Sequence, residues 1–418
     1  MQQSSRTLVF GLNYPPETTG ISPYTAAMAA GLVRHGHHVR AVVAHPHYPE
    51  WRIAAGYGQW SKRESVNGVV VHRVRHFVPR LPAPLPRALS EVTFGLRQVL
   101  TRWGRPSSII TVSPALLSSV IVRLRALTTH ARTPFVVWVQ DLYALGVQET
   151  GQGGGTAARL IRSLEGWLLR SATTVVVIHE RFAKRIHEDF GVPIARIQVV
   201  RNWTHLPPLP PADVDAVRRS YGWSDEDIVV VHTGNMGVKQ GLEHVVNAGR
   251  LAHEEGGRVR FVLVGNGSQR DELQQRVDDR PTTTQIVPPL SSDAFGDILQ
   301  SADVLLVNEL PGVSEMAVPS KLTSYFASGR PVLAATDATG ITAQEVREAE
   351  AGIIVPAGDP AAILEGAKRL AADRPAADRF GANGKHYKET VLDESVAIRQ
   401  FDSLLATLTA NVPDTRPA

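Results

Sequence analysis

The sequence predicts an α/β protein of two domains, each a doubly wound parallel sheet with helices on both faces. Three observations predict it. A plan of apolar strand, glycine loop and helix is written twice along the chain. A proline-rich stretch separates the two copies. The length of 418 residues suits two domains, because a single hydrophobic core stops growing at about 250–300 residues.

The first copy opens with TLVFGLN over residues 7–13, a short apolar run that reads as a buried strand. The loop YPPETTG follows and closes at Gly20. Ser22-Pro23 then reads as an N-cap with proline at the first helical position. Tyr24, Ala27, Met28 and Leu32 recur at helical spacing, and Gly36 ends the helix. A second strand over Val39–Ala44 completes one βαβ unit. Further strands are predicted at 69–74, 109–112, 135–139 and 174–178, with helices between them, two of these at 89–103 and 157–170. A last strand at 197–201 runs into Asn202-Trp203. The stretch THLPPLPPAD cannot continue a sheet, so the domain boundary falls there.

The second copy starts with the strand IVVVHTG at 228–234, the glycine loop NMGVKQG and the helix LEHVVNAGRLA. The next strand, 260–264, ends in Gly265-Asn266-Gly267. Strands at 285–287, 304–307, 331–335 and 353–355 alternate with helices near 293–300 and 320–328, and the tail 360–410 reads as helical. The predicted domains are 1–205, 206–390 and a C-terminal segment 391–418 whose helix packs back toward the first domain. Two Rossmann-like sheets of this kind place a ligand at their facing strand ends, in a central cleft.

Composition narrows the class. Hydrophobic residues make up 43% and charged residues 20%, a globular profile. Without cysteine there is no disulfide framework and no thiolate chemistry. The N-terminus MQQSSRTLVF lacks the pattern of a secretory signal, and no uncharged apolar run reaches the roughly 18 residues of a spanning helix. The expectation is a soluble, cytoplasmic chain. The net charge of +4 is unevenly shared: residues 1–205 hold 24 Lys/Arg against 10 Asp/Glu, and residues 206–418 hold 20 against 30. The basic half points to an anionic partner, unless it merely reflects an arginine-rich proteome.

Glycine loops that open helices carry the chemistry. Gly20, with Thr19 beside it, sits where unpaired helix N–H groups and a partial positive charge could meet phosphate, or where a tight turn needs positive φ. The second loop, Gly234 to Gly241 through Asn235, Met236 and Gly237, has the same design plus Lys239. A lysine at such a mouth offers a point charge to a diphosphate, worth roughly 1.5–3 kcal/mol, or is simply solvated. The Walker A spacing is absent. Further on, Pro319-Ser320-Lys321 opens a helix ending at Ser328-Gly329; Glu309 and Glu315 precede it, where they could hold a sugar's hydroxyls or lie solvated.

Three segments now carry a resemblance: NYPPETTGISPYTAAMAAGL with GHHV, HTGNMGVKQGLEHVVNA with VGNGSQRDEL, and VPSKLTSYFASGRPVLAA. In this order and spacing the chain resembles retaining glycosyltransferases of the GT-B fold, family 4, and is similar to the bacterial exopolysaccharide enzymes of the colanic-acid type. RNWTHL resembles that group's Asn-Trp turn, which makes Asn202 and Trp203 the hinge.

The resemblance implies Gly20 and Thr19 near the donor diphosphate and Lys239 neutralising it. It implies Asn235, Gly237, Gly265 and Asn266 lining the donor site, with Gly267 and Leu290 cradling the base. Ser320 and Lys321 belong to the same site. The family's second glutamate, which holds the ribose, falls on Ser324, and its first falls near Met316, beside Glu315. The arginine that precedes the family's lysine is replaced by Asn235 or Met236, and the common N-domain histidine falls near Ser113-Pro114.

The implied reaction breaks the donor's C1–O bond with oxocarbenium character. The charge growing on the β-phosphate is stabilised by Lys239 and the helix N-termini. The leaving phosphate takes the acceptor's proton, and Asp141, after a buried strand, orients the acceptor hydroxyl or caps a helix. The donor is a UDP- or GDP-type nucleotide sugar, the acceptor a saccharide or lipid-linked saccharide, and no cofactor or metal is implied. His35, His37 and His38, and His45 and His47, form pairs for which the sequence shows no partnered carboxylate.

Segments 87–105 and 157–170 are amphipathic, with Arg87, Arg97, Arg102, Arg105, Arg159, Arg162 and Arg170 beside Trp103 and Trp167. They suit the interface of an anionic membrane, peripheral at the inner face of the plasma membrane, or they cover the sheet. Nucleic acid is not implied, since no recognised module is present. Two other readings stay open: a non-catalytic nucleotide-sugar binder or scaffold subunit, and a nucleotide-sugar epimerase.

Overall fold

The computed structural model describes residues 5–17, 20–81, 83–142, 155–203, 209–312 and 320–410. The chain divides into two compact units, Met1–Trp203 with Glu394–Ala418, and Thr204–Asp393.

In the first unit the described elements run β1 (Arg6–Gly11), α1 (Ser22–Arg34), β2 (His38–Ala44), β3 (Ser61–Val66), β4 (Val69–Val74), α2 (Pro84–Val99), β5 (Ser108–Val112), α3 (Leu116–Thr129), β6 (Phe135–Val139), α4 (Thr156–Ser171), β7 (Thr174–Val177), α5 (Glu180–Phe190) and β8 (Ile197–Val199). They build an eight-stranded sheet in the order β3-β4-β2-β1-β5-β6-β7-β8. β5, β6 and β7 are buried along their whole length, as continuous apolar runs require when helices cover both faces.

The edge strand β3 departs from the all-parallel prediction, because it pairs antiparallel with β4. Its sequence SKRESV alternates exposed and half-buried residues and contains no apolar run to signal it. The signal lay in the turn: Asn67 and Gly68 both take positive φ, the requirement of a two-residue hairpin. Charged side chains on this edge discourage pairing with other chains.

Two helix starts also differ. Ser22 lies inside α1, whose N-cap is Ile21, and its buried hydroxyl donates to the Glu17 carbonyl at 2.7 Å. It ties down the incoming loop instead of capping the helix. α2 begins at Pro84, with a second proline in its first turn, and ends by Leu100. Trp103 therefore leaves the helix and turns inward, 3% exposed, with its indole N–H donating to the Gln98 carbonyl and its ring 4.9 Å from Phe10.

The second unit contains α6 (Val214–Ser220), β9 (Ile228–Asn235), α7 (Glu243–Glu254), β10 (Val259–Asn266), α8 (Arg270–Asp279), β11 (Thr284–Val287), α9 (Ser292–Ser301), β12 (Val304–Asn308), α10 (Ser320–Ser328), β13 (Val332–Ala335), α11 (Ile341–Glu348), β14 (Gly352–Val355), α12 (Pro360–Ala372) and α13 (Arg374–Thr390). Its six strands are all parallel, in the order β11-β10-β9-β12-β13-β14.

The last helix, α14 (Glu394–Ala410), belongs to the first unit. Ala397, Ile398, Phe401 and Leu405 are buried in one cluster with Met28, Leu32 and Trp138. Ile398 lies against Gly31 of α1, where a Cβ would stand 2.6 Å from its Cγ1, so the two helices touch at a backbone. Burying three large apolar side chains of α14 contributes on the order of 5–9 kcal/mol, an upper bound for a compact denatured state.

Candidate functional site: paired glycine turns and two lysines

In the second unit the site grows from the pairing of β9 with β10. Their register runs to the very end, with Gly234 opposite Gly265 and Asn235 opposite Asn266. Past the strands the clasp continues through backbone bonds: Met236 N–H donates to the Asn266 carbonyl and Gln269 N–H to the Met236 carbonyl, both at 2.9 Å. No side chain fits in the seam. A Cβ on Gly265 would lie 1.9 Å from the Gly234 oxygen, and one on Gly267 would lie 2.5 Å from the Met236 oxygen. Asn266 Oδ1 accepts from Gly267 N–H at 2.9 Å, and Gln240 Oε1 accepts from Gly237 N–H at 3.1 Å. Asn235 and Asn266 are exposed. Met236 is fully buried in one cluster with Leu242 and Val245, which leaves Asn235 as the accessible one of the two positions aligned with the family's arginine.

Lys239 lies on the 3-10 turn Val238–Gln240, half-buried. The end of β12 braces that turn: Leu310 N–H donates to the Lys239 carbonyl at 2.9 Å, and the Asn308 amide donates to the Gln240 and Gly241 carbonyls at 2.7 and 3.0 Å. Gly241 closes it at φ +54, a conformation that favours glycine.

A second cation lies beneath Gly234. Lys321, on the first turn of α10, brings its Cε within 3.9 Å of where a Gly234 Cβ would sit. Its ammonium donates to His232 Nε2 at 3.1 Å. His232 is a wholly buried residue of β9 whose Nδ1–H donates to the Leu306 carbonyl at 3.0 Å. That pair of bonds requires a neutral ring, and burial, reinforced by Lys321, holds the His232 pKa well below its usual value. Burial also pulls Lys321 down to about 8, against the opposing pull of Glu309. The neighbouring Tyr325 hydroxyl accepts from Thr233 N–H at 2.8 Å and donates to the Leu306 carbonyl at 3.2 Å. This locks α10 to β9.

Other predicted residues fall as follows. Ser324 is half-buried one turn into α10, and Leu290, beyond β11, packs half-buried against the core. Ser320 opens α10. Thr19, Glu315 and Met316 lie outside the described residues. Glu309 is held in place by the chain itself: its carboxylate accepts from the Thr342 hydroxyl at 2.6 Å and from the Thr336 hydroxyl, one bond on each oxygen.

In the first unit the loop after β1 is organised by Glu17, which sequence reasoning passed over. Its buried carboxylate accepts from Asn13 Nδ2 at 2.9 Å, from Tyr14 N–H at 3.3 Å, and from the His47 and Tyr48 N–H groups at 2.7 and 2.8 Å. It fastens the Gly20 loop to the segment after β2. Gly20 itself is exposed at φ +64, 3.7 Å from the Tyr48 ring as measured to its missing Cβ. At the ends of β5 and β6, the Ser113 hydroxyl donates to the Asp141 carbonyl at 2.6 Å. Asp141 is half-buried. Asn202 and Gln140 exchange side-chain amide bonds at 2.7 and 3.1 Å, and Trp203 is fully buried against Tyr24 and Trp138.

Of His35, His37, His38, His45 and His47, three lie beside a carboxylate, contrary to the local reading. His35 Nδ1 and His37 Nε2 meet the two oxygens of Asp402 at 3.0 and 2.7 Å, and His47 Nδ1 lies 3.5 Å from Glu17. Asp402 arrives on α14, too far along the chain for a local pattern to show it. Among the described residues, no group of three or more His, Cys, Asp or Glu could hold a metal ion.

Comparison with known proteins gives the family. Residues 19–203 match the family described as "Glycosyl transferase 4-like domain", and residues 227–373 match "Glycosyl transferases group 1". The colanic acid biosynthesis glycosyl transferase WcaI of Escherichia coli (strain K12), so named as a candidate, is 31% identical over 411 residues, covering 95% of this chain and 98% of its own. The chain belongs to the family 4 glycosyltransferases.

Solved structures give this glycosyltransferase its fold, GT-B. Sucrose-phosphate synthase from Thermosynechococcus elongatus superposes with a TM-score of 0.72 at 18% identity, over 97% of this chain and 99% of that one. HepE of Anabaena, in complex with UDP, gives 0.70 at 15%, over 96% and 100%. The chain is thus a glycosyltransferase whose second unit carries the paired glycine turns. Among the described residues, no helix is long and apolar enough to cross a membrane.

Proposed function

We propose that this enzyme is a retaining glycosyltransferase that moves a sugar from a UDP- or GDP-type nucleotide sugar to a hydroxyl of a saccharide or lipid-linked saccharide. The observation that carries the reading is the pair of clasped glycine turns with Lys239 beside them and Lys321 beneath. Backbone without side chains lets a diphosphate approach closely, and two cations in a partly desolvated setting stabilise its charge. Near pH 7 Lys321 is mostly protonated, given its value of about 8. The HepE complexes with UDP and with UDP-glucose support a donor of this class.

In the proposed reaction the C1–O bond breaks, negative charge grows on the β-phosphate, and Lys239 and Lys321 stabilise it. That phosphate then accepts the acceptor's proton, while Asp141 orients the hydroxyl. Asn235, Gly237, Gly265, Asn266 and Gly267 hold the donor, with Leu290 against the base and Ser324 facing the ribose. In the first unit Glu17 keeps the Gly20 loop in shape. No cofactor or metal is needed.

The proposed membrane contact keeps Arg87 from the sequence reading but replaces the tryptophan with leucines. Trp103 is buried, and Arg97 stacks over Trp60 at 3.6 Å. What α2 exposes is a stripe of Leu85, Leu89, Leu96 and Leu100 at helical spacing, between 50% and 81% exposed, with Arg87 exposed beside it. Leucines with adjacent arginines suit the surface of an anionic bilayer.

The test is a melting-temperature panel of UDP-, GDP- and TDP-sugars on the wild type and on Lys239→Ala. A ligand that binds the folded state raises the melting temperature. The wild type is expected to respond to one base class and to release nucleotide diphosphate from it. Lys239→Ala is expected to lose about 10- to 100-fold in kcat/KM, the equivalent of one charge-assisted hydrogen bond. Full activity in that variant would misplace the donor.

A further inference from the structure

The first unit holds a cavity at the end of the sheet opposite the Gly20 loop. About 250 Å3 in volume, it is lined chiefly by Arg6, His38, Arg40, Val70, Trp103 and Arg105. Arg6, His38 and Val70 stand at the amino ends of β1, β2 and β4, whereas Gly20 follows the carboxyl end of β1. The length of β1 separates the two by about 17 Å. Nucleotide-sized ligands fill pockets of about 300–1,000 Å3, so this one suits something smaller than the donor.

Its charge is one-sided. Arg40 is held below its ordinary pKa by burial and by the neighbouring Arg63. His72 is lowered by burial and then by Arg63, Arg40 and Arg97, so cations here act on one another. The acid nearest in sequence, Glu64, points to the other face of the sheet, where it meets Arg73 and Lys62. Among the described residues, no carboxylate pairs with Arg6, Arg40, Arg63 or Arg105. The walls are also fixed in advance. Arg40 donates to the Trp103 carbonyl at 2.6 Å, and the Arg125 guanidinium lies 4.2 Å from the centre of the Trp103 ring. Gly104 makes the adjoining turn at φ +70. A half-buried Arg40 with the exposed Arg6 and Arg105 at the rim, none of them paired with a carboxylate among the described residues, beside an indole and a valine, make a receptor for an anion carrying a short carbon body.

We propose that this cavity is a phosphate-binding site, separate from the donor site, that takes one phosphate mono- or diester with a small organic group. The phosphate meets Arg40 at the base and Arg6 and Arg105 at the rim, and the carbon body lies on Trp103 and Val70. Such a group can come from a phospholipid headgroup or from a soluble phosphorylated metabolite. The site does not rest on the reading of the donor loops.

The test uses the full chain, with sn-glycerol 3-phosphate and vesicles of phosphatidylglycerol as probes and phosphatidylcholine vesicles as the control. The variant is Arg6→Ala with Arg105→Ala, two exposed side chains that make no hydrogen bond or ion pair among the described residues, so folding is expected to be preserved. Arg40→Gln is the companion change at the base. The wild type is expected to bind at least one probe, and the double variant to bind it about tenfold or more weakly, the loss of one charge-assisted bond. The response of both proteins to UDP is expected to be the same, which separates this result from any failure of the donor assignment. Saturable binding of free glycerol phosphate identifies a soluble ligand. Binding confined to phosphatidylglycerol vesicles, and lost in the double variant, identifies a headgroup. Equal binding by wild type and variants, or none by the wild type, overturns the proposal.

Discussion

Lys321 can be tested through the pH dependence of stability. Burial brings its pKa from 10.5 to about 8 in the folded protein. A shift of that size corresponds to about 3 kcal/mol. Below pH 8 the amine is charged in both folded and unfolded chains, and the full burial penalty applies. Between pH 8 and 10.5 the unfolded chain binds more protons than the folded one, so stability rises with pH. Above 10.5 both forms are neutral and the penalty is gone. Lys321→Met removes this titration. It also leaves His232 Nε2 without its donor, which costs about 1–3 kcal/mol. That cost does not vary across the window, because His232 stays neutral throughout. Urea unfolding of both proteins at pH 7 and pH 10.5 gives the two differences in stability. Between those pH values the difference is expected to move by about 3 kcal/mol in favour of the wild type. Other lysines and tyrosines titrate alike in both proteins and cancel. A difference that stays flat, or moves the other way, refutes the view that the ammonium is held at the expense of stability.

Gly265→Ala puts a Cβ 1.9 Å from the Gly234 oxygen, between two strands that cannot part, and is expected to cost about 3 kcal/mol or more in urea unfolding and to abolish the nucleotide-sugar melting shift. Gly31→Ala drives a methyl into Ile398 at 2.6 Å. A loss of about 1–3 kcal/mol is expected, and a double-mutant cycle with Ile398→Ala should show coupling of similar size. Glu17→Gln weakens four hydrogen bonds that converge on one carboxylate. It should lower the unfolding free energy by about 2–4 kcal/mol, and an unchanged value would mean that the Gly20 loop is held by something else.

Much of the fold was legible in the chain. Buried parallel strands such as FVVWV and IVVVH are continuous apolar runs, and each glycine loop interrupts them with residues that no strand or helix interior favours. The hairpin at Asn67-Gly68 escaped notice because its outer strand is polar. At the site, the glycines and Lys239 stand in a local pattern, so spacing could find them. His232 could have been suspected as a lone polar residue in an apolar strand, and Glu17 as an acid inside a proline-flanked loop, but neither position reveals its partner.

By itself the sequence determined the two repeated units, the glycine turns at their strand ends and the proline-rich break between them. These depend on periodicity and backbone freedom within a dozen residues. Only the tertiary structure decided that Asp402 would meet His35 and His37, that Lys321 would come to lie beneath Gly234 against His232, and that Trp103 would turn into the core. Those contacts join residues tens or hundreds of positions apart. They exist because buried polar groups must find partners wherever packing brings the chain together.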